Sequence, residues 1–156
     1  MHSELKKKKI IKINKNLLLE DLNNLSKSYT VYKMRNSEIM RKNSINKRKI
    51  KYSSHKNWFI KYINKNKFYL VHYNQKYVGY LRLDFQKLNK IEVSIFVKEK
   101  FQNKNIASRI LKFAFLKFKK YKFIAKVLKK NTISKNFFLK NGFKITNSKR
   151  KLFIIR

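Results

Sequence analysis

No cysteine occurs among the 156 residues. That excludes disulfides and thiolate metal sites, and it fits a cytoplasmic location. Proline is absent and glycine occurs twice, so the usual punctuation of turns is missing. Asparagine must take over that work, because it tolerates the left-handed backbone region better than other residues with a side chain. Acidic residues number seven against 42 lysines and arginines, a formal charge of +35. No apolar run reaches the ~18 residues of a membrane span. Residues 1–9 are basic and no apolar stretch follows them, so no secretory signal is expected there.

A charge of this size invites a polyanion-binding reading. Other features point to a blander origin. Lysine outnumbers arginine 35 to 7, and Asn, Ile, Phe and Tyr abound, which is the residue usage of a very AT-rich genome. The lysines are also spread along the whole chain, so nucleic acid is not a required partner. Positive potential would in any case suit an enzyme whose substrates carry phosphates.

The length suits one domain, which hides roughly two thirds of its unfolded surface. Hydrophobic residues at 43% and aromatics at 15% supply its core. We expect a basic, disordered tail over residues 1–9 and a folded domain over 10–156. Ile10, Ile11 and Ile13 suit a first strand. Leu22, Leu25, Tyr29 and Tyr32 share one face of a helix spanning 21–34. Residues 37–44 read as a turn with a short helix, and 47–51 as a basic loop. Ser53 or Ser54 is a fair N-cap for a helix carrying Trp58, Phe59, Tyr62 and Ile63. Alternation then marks strands at 68–73, 77–85 and 91–97, joined by short turns into an antiparallel meander. A helix over 104–119 has a broad apolar face. A strand over 123–128, a helix over 134–140 closed by Asn141 and Gly142, and strands at 143–146 and 152–155 complete the chain. The helical crossover makes strands 91–97 and 123–128 parallel neighbours. The predicted class is α+β, a three-layer fold with a mixed, mostly antiparallel sheet of about six to seven strands and helices on both faces.

Two blocks carry the chemistry. The first is Gln102-Asn103-Lys104-Asn105-Ile106-Ala107, with Ser108 following, a polar loop between an alternating strand and an amphipathic helix. Such a loop offers successive backbone N–H groups and a helix N-terminus to a phosphate. The second block has Asn131, Ser134, Phe138, Gly142 and Phe143 at fixed intervals. Together they resemble the signatures of the GCN5-related N-acetyltransferases, which move an acetyl group from acetyl-CoA to an amine. The first signature reads Gln or Arg, two residues, Gly, one residue, Gly or Ala. Here Asn105 stands where Gly is usual and Asn103 where Gly is common.

The resemblance implies the fold of that family, acetyl-CoA as co-substrate, and no metal. It places CoA against residues 102–108, with Lys104 adding charge. The pantetheine arm falls beside Asn131 and against the backbone of Ile95, Phe96 and Val97, whose N–H groups would also polarise the acetyl carbonyl. Phe138 occupies the place where many relatives carry a tyrosine that protonates the departing thiolate. Phenylalanine has no proton to give, so that acid is absent. Glu92 falls where many relatives place a carboxylate base.

The N-terminal half narrows the resemblance. Arg35-Asn36, Arg41, Ser44, His55-Lys56-Asn57-Trp58-Phe59 and Gly79-Tyr80-Leu81-Arg82-Leu83-Asp84 resemble the branch that acetylates nucleotide-linked amino sugars in pseudaminic-acid and related surface-glycan pathways. Arg35, Arg41 and Arg82 would grip phosphates, Trp58 would stack on a base or sugar, His55 would bond a hydroxyl or act as base, and Asn36 would assist. Each has a plainer reading: Arg35 paired with Glu38, Trp58 and Phe59 in the core, His55 at the surface, Arg82 paired with Asp84. The expected activity is direct, ternary-complex acetyl transfer to such an amine, without membrane involvement. Alternatives are another amine such as a protein N-terminus, or a degenerate, basic binding module of the same fold. Homodimers are common among relatives.

Overall fold

The structure, a computed structural model, describes residues 9–149 and 152–155. Its elements are β1 (Lys9–Lys12), β2 (Leu17–Asp21), a 3-10 turn (Leu25–Lys27), α1 (Ser28–Asn36), α2 (Glu38–Lys42) and α3 (Tyr52–Ile63). Then come β3 (Lys67–Tyr73), β4 (Lys76–Gln86), β5 (Lys90–Val97), α4 (Ile106–Lys117), β6 (Lys122–Leu128), α5 (Thr132–Lys140), β7 (Ile145–Lys149) and β8 (Leu152–Ile155). The tail expected at residues 1–9 lies outside the described residues except for Lys9, which opens β1.

Eight described strands form a sheet in the order β1-β2-β3-β4-β5-β6-β8-β7. All neighbours run antiparallel except β5 and β6, which the α4 crossover makes parallel. The strand passed over in the sequence is β2. Its apolar Leu17, Leu18 and Leu19 do not alternate with polar residues, and Asp21 resembles the start of the helix that follows. The helix expected from residue 21 begins only at Ser28, after the 3-10 turn. Likewise α3 begins at Tyr52 with Lys51 as N-cap and no side-chain cap, so neither Ser53 nor Ser54 caps it. The Tyr52 hydroxyl lies 3.0 Å from Ser28 Oγ and ties this helix start to α1.

Alternation sends successive side chains to opposite faces of the sheet. On one face Leu19, Tyr69, Leu81, Leu83, Ile91 and Val93 pack under Ile106, Ile110, Leu111 and Ala114 of α4. On the other, Leu70, Phe68, Tyr80 and Phe96 pack under Val31, Met34, Phe59 and Tyr62 of α1 and α3. Each fully buried side chain of this size contributes about 1.5–3 kcal/mol. The β3–β4 register skips Val78, where Val71 pairs with Gly79 and His72 with Tyr77.

The turns show what replaces glycine. Asn74 and Gln75, joining β3 to β4, have φ of 46° and 63°. Leu88 and Asn89, joining β4 to β5, have 61° and 52°. Paired positive φ values are what tight hairpins need. Gly142, after α5, takes φ +87° as expected of a residue ending a helix.

Candidate active site

Strands β5 and β6 pair only where Lys90, Ile91 and Glu92 meet Lys122, Phe123 and Ile124. Beyond Glu92 the two strands part. Backbone groups of residues 93–97 on the β6 side therefore have no strand partner, which is the condition under which an extended ligand can bond to a sheet.

Two cavities meet at this opening. One, of about 450 Å³, includes Arg35, Met40, Tyr80, Arg82, Glu92 and Ser94 in its wall. The other, of about 350 Å³, is walled by Phe101, Asn103, Asn105, Ile106, Ala107 and Ser108. Ile95, Val97, Gln102, Ile133, Ser134 and Phe138 line both. Phe96 and Asn131 line the first only, and Lys104 lines neither.

The second cavity is built from the loop before α4. Asn103 has φ 61°, and Asn105, the N-cap of α4, has φ 56° and ψ 16°. Both positions where glycine is usual are thus left-handed, and asparagine is the side chain that tolerates this best. The first turn of α4 carries backbone N–H groups without intrahelical partners. They bound the cavity at the positive end of the helix dipole, a setting that fits a diphosphate. Gln102 Nε2 donates to the Val97 carbonyl at 3.1 Å and locks the loop to the end of β5. Asn131 Oδ1 accepts from Ser134 N at 3.1 Å, so this side chain caps α5, which starts two residues earlier than expected. Phe138 packs against Phe137 and Phe143, with ring centroids 5.1 and 5.0 Å away. These residues are of a kind that would fit a CoA thioester: the α4 N-terminus suits phosphates and the open edge of β5 suits an extended chain.

Glu92 sits at the vertex where the strands part. One of its carboxylate oxygens accepts from Lys126 Nζ at 2.7 Å and from Gln86 Nε2 at 2.8 Å. Arg82 Nη2 donates to Asp84 Oδ2 at 3.0 Å, and the Tyr62 hydroxyl donates to Asp84 Oδ1. Arg35 Nη2 donates to the Asn46 carbonyl at 2.9 Å. Arg35 Nη1 and Arg82 Nε are buried and have no partner. Both arginines belong to the wall of the first cavity, and guanidinium groups with donors to spare suit an anionic group.

The other acceptor-side residues stand elsewhere. Asn36 donates to the Ile50 carbonyl at 2.8 Å and accepts from Ile50 N at 3.0 Å. Arg41 donates to the carbonyls of Asn36 and Lys47. These contacts fasten the loop after α2, whose residues 43–46 wall the first cavity. Trp58 lies on the outer side of α3 and His55 inside it; neither lines a cavity. Short motifs show which residue types are present, but not whether a guanidinium reaches a ligand or a carbonyl of its own loop. Tyr80, Ser94 and Lys126 escaped the sequence reading. Period-two alternation in β5 would have found Ser94, which lies between Glu92 and Phe96 on their face.

His55 is 3% exposed, and its Nε2 has no hydrogen-bond partner. Burial pushes its pKa down, the nearby Arg35 charge adds to this, and a backbone bond at Ser28 acts against it. The unfolded chain protonates this side chain near pH 6.5, the folded chain only lower. Stability is therefore full above about pH 6.5 and is lost as pH falls from there toward the folded value. The melting temperature is expected to drop between about pH 7.5 and about pH 5.5, and His55→Phe to flatten that drop. Equal slopes for the two proteins in a pH series of thermal melts would count against it.

The family model described as "Acetyltransferase (GNAT) domain" matches residues 64–145. No curated protein matches the chain by sequence. Among solved structures, the ribosomal L7/L12 alpha-N-protein acetyltransferase RimL superposes with TM-score 0.79 at 14% identity, over 99% of this chain and 97% of that one. The Microcin C7 self immunity acetyltransferase MccE, in complex with acetyl-CoA and AMP, gives 0.75 at 15%, over 93% of each chain. The Campylobacter jejuni N-acetyltransferase PseH gives 0.66 at 17%, over 89% of this chain and 95% of that one. With its parted parallel strands, its left-handed asparagine loop and a family match over residues 64–145, this chain belongs to the GCN5-related N-acetyltransferases, enzymes that use acetyl-CoA.

Proposed function

We propose that the chain acetylates the primary amine of a nucleotide-linked amino sugar by direct transfer within a ternary complex. The observation that carries this reading is that Arg35 and Arg82, each with one buried guanidinium nitrogen left unpartnered, stand with Glu92 in the wall of one cavity. A sugar nucleotide brings phosphates to pair with them, and its amine then has a carboxylate within the same cavity.

Bound acetyl-CoA supplies an acyl thioester. The chain's own residues do the rest. The α4 N-terminus, with Gln102, Asn103, Asn105 and residues 106–108, would hold phosphates, and the open edge of β5 would fix the carbonyl. Glu92 takes the proton that the acceptor ammonium must lose before its nitrogen can attack. Phe138 lines both cavities and has no proton to give, so no acid acts from that position. The further proton that the amine nitrogen sheds on forming the amide would balance the one that the departing thiolate takes up.

The test is a panel of acceptors assayed with acetyl-CoA: amino-sugar nucleotides, free amino sugars and peptides with free N-termini. The nucleotide-linked sugars are expected to be the best acceptors. Arg82→Gln is expected to raise the acceptor KM about 10- to 100-fold, the worth of a charge-assisted bond, with less change in the KM for acetyl-CoA. Efficient acetylation of peptides, with no turnover on sugar nucleotides, would overturn the reading.

A further inference from the structure

Helices α1 and α3 meet through aromatic rings that continue out to solvent. Tyr29 and Tyr52 stand edge-on with centroids 5.2 Å apart, and Tyr52 is 5.2 Å from Tyr32. Tyr32 is 5.6 Å from His55, and His55 is 5.3 Å from Trp58. Tyr29 is 54% exposed, Tyr52 36% and Trp58 38%. None of these rings lines either cavity. Edge-on and tilted ring contacts hold the row, and the bond between the Tyr52 hydroxyl and Ser28 Oγ pins one end.

The charge around the row has one sign. Neither helix contains an acidic residue. Lys33 Nζ lies 5.4 Å over the Tyr29 ring, and exposed Lys56 stands on α3 between His55 and Trp58 in sequence. Five of the chain's seven acids are engaged elsewhere: Glu20 with His72, Asp21 with Lys67, Asp84 with Arg82, Glu92 with Lys126, and Glu38 with Lys42 on α2.

We propose that this α1–α3 face binds a single-stranded nucleic acid, its bases stacking on the exposed rings and its phosphates meeting the flanking lysines. Exposed rings set among cations are the pattern that sequence-tolerant single-strand binders use, because every base has a face to stack. A duplex hides those faces. A second copy of this chain is a poor occupant, since two molecules each of charge +35 repel. A lipid surface takes an amphipathic helix by its apolar face, and the apolar faces of α1 and α3 are already buried against the sheet.

Trp58 is the chain's single tryptophan, so its emission reports on this face directly. The full chain is titrated with twelve-nucleotide oligouridine and oligothymidine. Saturable quenching is expected, with affinity falling about 50-fold between about 50 and about 200 mM salt if about four phosphates are neutralised. Tyr29→Ala is expected to weaken binding about 10-fold, with the circular dichroism spectrum and acetyl-CoA affinity unchanged. Lys33→Gln should lower the salt slope by about one. The tighter of the two oligonucleotides identifies RNA or DNA as the ligand. Equal affinity for inorganic polyphosphate, oligonucleotide binding without quenching, or a response to phosphatidylglycerol vesicles alone would each overturn the proposal.

Discussion

Replacing Glu92 with glutamine is expected to lower kcat about 10²- to 10⁴-fold while leaving acetyl-CoA affinity unchanged. The substitution keeps size and shape, so the β5–β6 junction stays intact. It removes the charge that Lys126 and Gln86 hold in place, and with it the group that can accept the acceptor's proton. The proposed cofactor side uses other residues, namely the α4 N-terminus, the left-handed Asn103 and Asn105, and the Gln102 bond to Val97. The effect therefore belongs in turnover and not in acetyl-CoA binding. Because the lost function is proton removal, the variant should regain activity as pH rises and more of the amine is already neutral. Steady-state kinetics over a pH range, with calorimetric titration of acetyl-CoA, separate these quantities. Undiminished turnover would remove Glu92 from the mechanism.

Gly79→Ala is expected to destabilise the protein by about 3 kcal/mol or more. A Cβ built at Gly79 would lie 2.0 Å from the Phe96 carbonyl oxygen and 3.0 Å from Val97 Cα. Those are backbone atoms of the paired strand, and a backbone inside a sheet has little room to give way. Gly79 faces Val97 in the β4–β5 ladder, beside the skipped Val78. The strain falls on the stretch of β5 that borders the opening, so acetyl-CoA affinity should fall along with stability. At this chain length the expected loss lowers the melting temperature by about 6–12 °C. A thermal melt within about 2 °C of the parent would contradict it.

How far the sequence could be read depended on how local each signal was. The β3–β5 meander, α4 and the parallel pairing of β6 were legible because alternation and the helical crossover are written in adjacent residues. Strand β2 was not. Its Glu20 and Asp21 are 3% and 7% exposed, with His72 at 2.8 Å and Lys67 at 3.1 Å. Those partners lie on β3, 52 and 46 positions away. Without them Asp21, the second of two successive acids, reads as the start of a surface helix.

The same distinction runs through the site. The loop at 102–107 could be recognised because its strand, turn and helix are contiguous, and asparagine explains how it does without glycine. On the acceptor side, Arg35, Arg82 and Glu92 come together in one cavity, while Asn36 and Arg41 fasten a loop and His55 and Trp58 join the aromatic row on α1 and α3. Which of several arginines faces a cavity depends on where α1 and α2 cross the sheet, and no local pattern encodes that.

Calorimetric titration of the full chain with acetyl-CoA, at low and at moderate salt, tests the assignment most directly. One-to-one micromolar binding that survives moderate salt is expected, because shape and backbone N–H groups hold the ligand in the cavity beside Asn103 and Asn105. Absence of binding, or binding that disappears as salt screens the lysines, would show that the asparagine-built loop does not hold the cofactor, and the assignment as a working acetyltransferase would fail.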